Sequence, residues 1–174
     1  SRRLEHGETR VSLTGTVTDA DVANATIGIY SMKTGTRLGS ATTDANGDYS
    51  IPVSLDAVTS DDVLFAVAEG GQVNGQNVDF LKFKSIVGSA SELRAAGADG
   101  RITASEAPDL TVSNVTTAKV ALVEAVNNLT IDGGQAHAAT VVSDIVDTQK
   151  EQEQENLGMV IKLAAAIKVV VDDP

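Results

Sequence analysis

The stretch DVLFAVA, residues 62–68, decides how the first half of this chain can fold. Every residue after Asp62 in this run is apolar, and polar and glycine residues follow it at 69–71. Because successive side chains of a strand point to opposite faces, a strand with this composition is apolar on both faces. The run therefore predicts a central strand.

Segments on both sides of this run alternate apolar and polar residues, as half-buried strands do. Strands at this spacing, separated by Gly, Asp and Asn turns, predict an antiparallel β-sandwich, immunoglobulin-like or transthyretin-like, rather than a sheet of βαβ units. Pro52 has no amide hydrogen for a ladder, so its strand is expected at an edge. The segments are RVSLTGTV (10–17), NATIGIYS (24–31), RLGSATT (37–43), DYSIPV (48–53) and VDFLKFKSIV (78–87).

The composition changes near residue 115, where Gly-rich alternating runs give way to Ala, Val, Gln and Glu at helical spacing. This predicts an α+β chain with an N-terminal extension (1–10), a β-sandwich (11–115) and a helical region (116–174). A long connection at 88–109 belongs to the sandwich. The helices are amphipathic, so they need cover from the sandwich, from each other or from a neighbouring subunit.

Three apolar stripes define these helices. The first helix is expected to begin with Thr116 or Thr117 as its cap. The stripes comprise Ala118, Ala121, Leu122, Ala125 and Val126 in the first helix, Val141, Val142, Ile145 and Val146 in the second, and Val160, Ile161, Ala164, Ile167, Lys168 and Val171 in the last.

Charge and cysteine content exclude several classes of protein. The formal net charge is −11, which repels phosphate, so nucleic acid and anionic membrane surfaces are not expected partners. The absence of cysteine excludes disulfides, thiolate metal sites and a cysteine nucleophile. The longest apolar stretch, residues 158–171, contains two lysines and is too short to span a bilayer.

The segment DANGD, residues 44–48, offers a possible metal loop. Asp44, Asn46 and Asp48 place oxygen-bearing side chains at alternate positions, as the start of a calcium loop does. A full loop also needs a bidentate acid at its twelfth position, which here is Leu55. The simpler interpretation is a turn between two strands, with Asp44 accepting from backbone amides. Calcium therefore stays an alternative, and no other cofactor is expected.

The first part of the chain resembles the carboxypeptidase regulatory-like domains of the transthyretin-like β-sandwich group. The matching motifs span about residues 10–70 and lie in VSLTGTVTDADVANATIGIY and GSATTDANGDYSIPV. The proline that usually precedes the second strand is missing from DVANAT. The resemblance implies a non-catalytic module of a bacterial exported or surface protein. The matching residues are Gly15, Val17 and Asp19, then Ala25, Ile27 and Ile29, and finally Thr43, Asp44, Gly47 and Tyr49.

Catalytic motifs are not found in the sequence. His6 and His137 are the only histidines, and neither belongs to a G-x-S-x-G or H-E-x-x-H arrangement. A second loop, GADGRITASE, has Asp99 and Glu106 at metal-loop positions but lacks the first two ligands. The adjacent acids Asp61 and Asp62 are expected to be solvated turn charges. We therefore expect a protein that is not an enzyme.

These observations favour a non-catalytic extracellular structural protein, a subunit of a cell-surface assembly or filament. Self-association is expected through the N-terminal segment, by strand addition, or through the helices. The alternative is an adhesin-type module that binds a glycan or calcium through its loops. Both hypotheses place the protein outside the cell, at the cell surface.

Overall fold

A computed structural model of the protein describes residues 10–18, 22–78, 82–155, 164 and 167, with the backbone alone described at 152–155. In this part of the chain the architecture is α+β, and most strands lie in the N-terminal part. The strands are β1 (Arg10–Thr18), β2 (Thr26–Ser31), β3 (Arg37–Thr42), β4 (Asp48–Ser54), β5 (Val63–Glu69), β6 (Gln72–Val73), β7 (Gln76–Asn77), β8 (Lys82–Ser89), β9 (Arg101–Ile102) and β10 (Thr111–Ser113). The helices are α1 (Ala90–Ala96), α2 (Asn114–Asn127) and α3 (Ala139–Glu155).

The run at 62–68 forms most of β5, an interior strand of a four-stranded sheet with the order β3-β2-β5-β8. All pairings in this sheet are antiparallel. Six of the seven residues of β5 are buried. The prediction of a central strand is confirmed.

A second sheet is built around β1, and it is mixed. On one side β1 pairs antiparallel with β4, which ends the sheet, as Pro52 predicts. On the other side it pairs in parallel with β9 and β10. The expectation of purely antiparallel sheets is therefore wrong here. The chain returns to β1 only after β8 and α1, and such a connection allows the parallel direction. The ladders among the described strands before residue 90 are all antiparallel.

Apolar side chains of both sheets share one cluster, which we call the inner core. Alternate residues of β5 enter it, namely Leu64, Ala66 and Ala68. The other sheet contributes Leu13 of β1 and Ile51 of β4, both fully buried. Period-two alternation explains this core, because one face of each strand points toward the opposite sheet.

The remaining face of the β3-β2-β5-β8 sheet is covered by helices of the same chain. The intervening residues of β5, Val63, Phe65 and Val67, enter a second cluster, the outer core. Its helical members are Val120 and Val123 of α2 and Val142 and Ile145 of α3. The predicted α3 stripe is confirmed, since Val141 and Val146 also pack against this core.

The predicted stripe of α2 is wrong in part. Ala118 is buried as expected, but Val126 is 66% exposed. The face that packs is set by Val120 and Val123, which the stripe omitted. Apolar residues lie on several sides of this helix, so its sequence pattern alone does not define which face is buried. Contact with Phe65 and its neighbours determines the face that packs.

Helix α2 begins earlier than its sequence suggested. Ser113 is the N-cap, and its side chain accepts from the amides of Val115 and Thr116. Thr116 lies in the first turn, where its hydroxyl accepts from the Ser113 amide in a capping box. Neither Thr116 nor Thr117 is the cap. The predicted connection at 88–109 contains α1, β9 and the start of a 3-10 turn (Pro108–Leu110).

Gly15 permits a close approach between β1 and this 3-10 turn. A Cβ atom at Gly15 would lie 2.2 Å from the carbonyl oxygen of Leu110. The same carbonyl accepts a 2.6 Å hydrogen bond from the hydroxyl of Tyr49, which pairs with Gly15 in the ladder. A side chain at position 15 is therefore excluded by backbone atoms.

The ends of the chain are described in part. Of the predicted extension, Arg10 is the first residue of β1, and 1–9 lie outside the described residues. Of the last predicted stripe, only Ala164 and Ile167 are described. Ala164 is buried against Ala118 of α2, and its carbonyl accepts from the side chain of Asn114 at 2.9 Å. None of the helices in the described residues is long and apolar enough to cross a membrane.

Candidate functional site

The candidate metal loop Asp44, Asn46 and Asp48 forms the turn between β3 and β4. Asp44 Oδ1 accepts hydrogen bonds from the backbone amides of Asn46 at 2.8 Å and Asp48 at 3.0 Å. The backbone closes the same turn, since the amide of Gly47 donates to the Asp44 carbonyl at 3.0 Å. Gly47 has a φ of 82°, which favours glycine.

The carboxylate of Asp48 points back to the sheet, where it accepts a hydrogen bond from the hydroxyl of Thr16 in β1. Asp44 and Asp48 thus bond with groups of the protein itself. These contacts stabilise a strand reversal, which is the simpler interpretation of the segment. The loop's candidate ligands Asn46 and Asp48 have exposed side chains.

The second candidate loop has the same character. Asp99 Oδ1 accepts from the amide of Arg101, and Glu106 Oε1 accepts from the amide of Thr103, both at 3.1 Å. Each acid therefore caps its own turn. Across the described residues, no three His, Cys, Asp or Glu side chains are grouped closely enough to hold a metal ion.

A cleft of about 270 Å³ opens between the end of β8, α1, the 106–109 turn and α3. We call it the β8–α3 cleft. Its floor is apolar, with Val63, Ile86 and Val87, and α3 contributes Val146, Gln149 and Lys150 to its wall. An apolar floor with a polar rim is the usual composition of small-molecule sites. Sequence patterns missed this cleft because it joins residues of β5, of β8 with α1, of the 106–109 turn and of α3, which are separate segments of the chain.

Carboxylates line the rim of the β8–α3 cleft, and each has a partner in the fold. Glu92 completes a capping box with Ser89 at the start of α1. Glu106 caps its turn, as described above. Asp109 lies 3.9 Å from the ammonium group of Lys119. These carboxylates can accept hydrogen bonds from a ligand only through the oxygen atoms that their partners leave accessible.

Asp62 is buried, with 1% of its surface exposed, so the expectation of a solvated turn charge is wrong. Its carboxylate accepts from the hydroxyl of Ser31, the amide of Lys33 at 3.0 Å and the amide of Val63 at 2.7 Å. Three donors compensate the cost of burying the charge. Asp62 joins the end of β2 to the start of β5, a long-range contact that the sequence pattern did not indicate.

Asp61, the neighbour of Asp62, does face solvent, with 70% of its side chain exposed. Hydrogen bonds from Lys33 and Thr59 lower the pKa of Asp61 to about 2. The Lys33 ammonium lies 2.6 Å from Asp61 Oδ1. This exposed pair contributes little to stability, because water screens it.

His137 lies beside this group of residues. Its backbone amide donates to the carbonyl oxygens of Met32 at 3.1 Å and Lys33 at 3.2 Å. Its Nε2 atom is buried and has no hydrogen-bond partner among the described residues. The contact places the segment between α2 and α3 against the loop after β2.

Two lysines of β8 connect the sheet to the end of α2 and the segment after it. The ammonium of Lys84 donates to the carbonyl of Ile131 at 2.6 Å and to Glu124 at 3.1 Å. Lys82, which is more exposed, pairs with Asp132 at 2.9 Å and with Glu69 at 3.3 Å. The hydrogen bond with Asp132 raises the pKa of Lys82. Burial opposes ionisation of Asp132, but hydrogen bonds from Lys82 and Gly133 outweigh it and lower the pKa of Asp132.

Comparisons with known proteins do not assign a family. No family model matches the chain, and no curated protein matches it. A 9R-lipoxygenase from Cyanothece PCC8801 is similar at 18% identity and a TM-score of 0.30, covering 45% of this chain and 13% of that chain. An alternative pilotin from the type II secretion system of Vibrio cholerae has 10% identity and a TM-score of 0.31, covering 55% of this chain and 92% of that chain. Similarity this weak supports no argument about function.

Proposed function

We propose that the protein is a non-catalytic structural module with a transthyretin-like β-sandwich, acting as a subunit of an extracellular cell-surface assembly. The observation that carries this proposal is the cover of α2 and α3 by a sheet of the same chain. A subunit that folds by itself needs the apolar faces of its helices to be covered by its own chain. The polar groups of the candidate loops support it as well, because they hold turns. The extracellular location rests on the resemblance of residues 10–70 to carboxypeptidase regulatory-like modules.

Strand addition is the mode of assembly that the contacts favour over helix packing. The apolar faces of α2 and α3 are already packed on the outer core. Among the described strands, β3 and β4 each end a sheet. They lie next to each other, since a Cβ at Gly39 would be 2.7 Å from the carbonyl oxygen of Pro52.

The edge at the other end of the β3-β2-β5-β8 sheet is occupied. Thr117 of α2 accepts from the amide of Lys84 in β8 at 3.0 Å. The hydroxyl of Ser85 donates to the carbonyl of Asp109 at 2.6 Å. The β3–β4 side is therefore the side on which we propose that an extended segment of another copy adds, with residues 1–9 as its donor.

Light scattering after size exclusion tests the assembly at increasing concentrations of the full chain. We expect concentration-dependent oligomers that disappear when residues 1–9 are deleted. The control is Val126→Glu, which places a charge on the exposed face of α2 and should leave strand-mediated oligomers intact. Loss of oligomers in the Val126→Glu chain would contradict strand addition. A full-length chain that is monomeric at every concentration would overturn the assembly role.

An adhesin-type ligand-binding module is the second candidate, and the β8–α3 cleft favours it. Calorimetric titration with calcium and with a panel of glycans tests it. If calcium binds the first loop, Asp44→Ala abolishes the heat of binding, whereas Asp99→Ala in the second loop does not. If a glycan binds the cleft, Ala96→Trp blocks binding, whereas Ala45→Trp in the β3–β4 turn does not. No saturable heat from any of these ligands would exclude this candidate for the ligands tested.

A further inference from the structure

Two Asn-Gly pairs occupy exposed turns of this chain, and their surroundings differ. Asn46 and Gly47 lie in the β3–β4 turn, and Asn74 and Gly75 connect β6 to β7. The β6–β7 hairpin has a two-residue loop with a φ of 53° at Asn74 and 80° at Gly75. Positive φ at both positions is the conformation that Asn-Gly favours in such hairpins.

We propose that Asn74 is a site of spontaneous deamidation through a cyclic imide, and that the fold protects Asn46 from the same reaction. In this reaction the backbone nitrogen of Gly75 attacks the side-chain carbonyl carbon of Asn74. A new N–C bond forms, the bond to the side-chain amide nitrogen breaks, and that nitrogen leaves as ammonia with the proton from the Gly75 amide. Water then opens the imide at either carbonyl, which yields aspartate or isoaspartate.

The two turns differ in how accessible the attacking glycine nitrogen is. Gly47 is buried, and its amide donates to the Asp44 carbonyl at 3.0 Å. Asn46 is also held, since its own amide donates to Asp44 Oδ1 at 2.8 Å. A glycine amide bonded in this way must first break its hydrogen bond before it can attack.

The Asn74–Gly75 turn carries none of these restraints among the described residues. Asn74 and Gly75 are both exposed, and a Cβ added at Gly75 would meet no atom within 4 Å. The hydrogen bonds found in the described chain include none from the amide of Gly75 or from the side chain of Asn74. The carbonyl carbon and the nitrogen can therefore approach each other without breaking a hydrogen bond of either group.

Deamidation at Asn74 would alter the hairpin as well as the charge. A carboxylate replaces a neutral amide, so each event adds one negative charge at neutral pH. Isoaspartate also lengthens the backbone by one methylene, which disrupts the pairing of Val73 with Gln76. The chain thus carries an age-dependent modification at the tip of one hairpin.

Incubation of the folded full chain in mildly alkaline buffer tests this inference, with charge-variant separation and peptide mapping over time. We expect Asn74 to react at a rate close to that of the free peptide VNGQN, and Asn46 to react at least about tenfold more slowly. Asn74→Gly keeps the positive φ and should remove the main acidic variant. Asn46→Gly is the matched control and should leave that variant in place.

Three results would overturn the proposal. Asn46 could react as fast as Asn74, which would show that the hydrogen bonds of the β3–β4 turn give no protection. Asn74 could stay intact while the free peptide reacts, which would show that the hairpin blocks the attack. Finally, the acidic variant could persist in Asn74→Gly, which would place the reaction elsewhere.

Discussion

The two faces of the β3-β2-β5-β8 sheet are buried by different means. On the inner face, Leu64 and Ala66 of β5 pack against strands of the second sheet. On the outer face, Phe65 packs against the helices, and its ring stacks on Tyr30 with centroids 5.4 Å apart. Adjacent residues of one strand therefore belong to cores with different partners. A strand that is apolar on both faces therefore requires a covering layer on each face. Its own sequence does not determine which segments form those layers.

The largest expected effects come from truncating one residue on each face. Phe65→Ala should lower the free energy of unfolding by about 3–5 kcal/mol, because it removes a fully buried ring and leaves a cavity under the helices. Leu64→Ala should lower it by about 2–5 kcal/mol, since Leu64 is also fully buried. Denaturant unfolding followed by far-ultraviolet circular dichroism measures both.

The same pair of variants tests whether the two cores unfold together. If they form one cooperative unit, both variants shift the midpoint of a single transition with an unchanged slope. A second transition in Phe65→Ala alone would instead mean that the helical layer detaches before the sheets unfold. That result would mean that the helical layer and the two sheets unfold as separate cooperative units.

Asp62→Ala should have the next largest effect, because the buried carboxylate of Asp62 accepts three hydrogen bonds. Removing its carboxylate leaves the buried Ser31 hydroxyl and the amides of Lys33 and Val63 without their acceptor. We expect a loss of about 3 kcal/mol. Ser31→Ala deletes one donor and should cost about 1 kcal/mol. Equal losses in the two variants would mean that only the Ser31 contact matters.

Tyr49→Phe probes the inner core through its buried hydroxyl. The change removes a hydrogen bond to the Leu110 carbonyl and should cost about 1–2 kcal/mol near neutral pH. Burial raises the pKa of Tyr49 above its ordinary value of about 10.

The sign of the pH dependence follows from that shift. Above pH ~10 an unfolded tyrosine loses its proton while the folded one keeps it, so the stability of the native protein falls as the pH rises. Tyr49→Phe should flatten this decline, and urea unfolding at a series of alkaline pH values measures it. An unchanged alkaline slope would mean that another group causes the decline.

The smallest effects are expected for the lysines that tie β8 to the helical layer. Lys84→Ala should cost about 1–2 kcal/mol, because its ammonium group is largely buried and bonds with both Glu124 and the Ile131 carbonyl. Lys82→Ala should change stability by about 0.5 kcal/mol or less, since its pair with Asp132 is more exposed. Thermal unfolding at low and high salt measures both. Equal losses, or a stronger salt effect for Lys84, would contradict this ranking.

Local pattern predicted some elements of this fold and not others. Alternation identified β1, β2 and β4, and Pro52 indicated an edge strand, because these signals depend on neighbours along one segment. It did not predict that β9 and β10 run parallel to β1, since pairing direction depends on the connection through α1. The DANGD turn was identified with its turn chemistry, which is also local.

Two errors have one physical origin. Asp62 was expected in solvent and Val126 at a packed face, yet Asp62 is buried and Val126 is exposed. Asp62 directly precedes β5, and its position next to this largely buried strand was the signal in the sequence that could have indicated its burial. Whether each residue is buried or exposed depends on a segment that lies far away in the sequence. For Asp62 this segment is the loop after β2, and for Val126 it is the outer face of β5, against which α2 packs.

The sequence by itself determined that segments such as β1, β2 and β4 become strands and that β5 must be buried on both faces, because side-chain direction repeats every two residues in any strand. Only the tertiary structure decided that α2 and α3 supply the second cover, that Asp62 joins β2 to β5, and that a cleft opens beside α3. Those outcomes depend on contacts between distant segments. Such contacts form when shapes, charges and hydrogen-bonding groups match in three dimensions, which a one-dimensional pattern does not record.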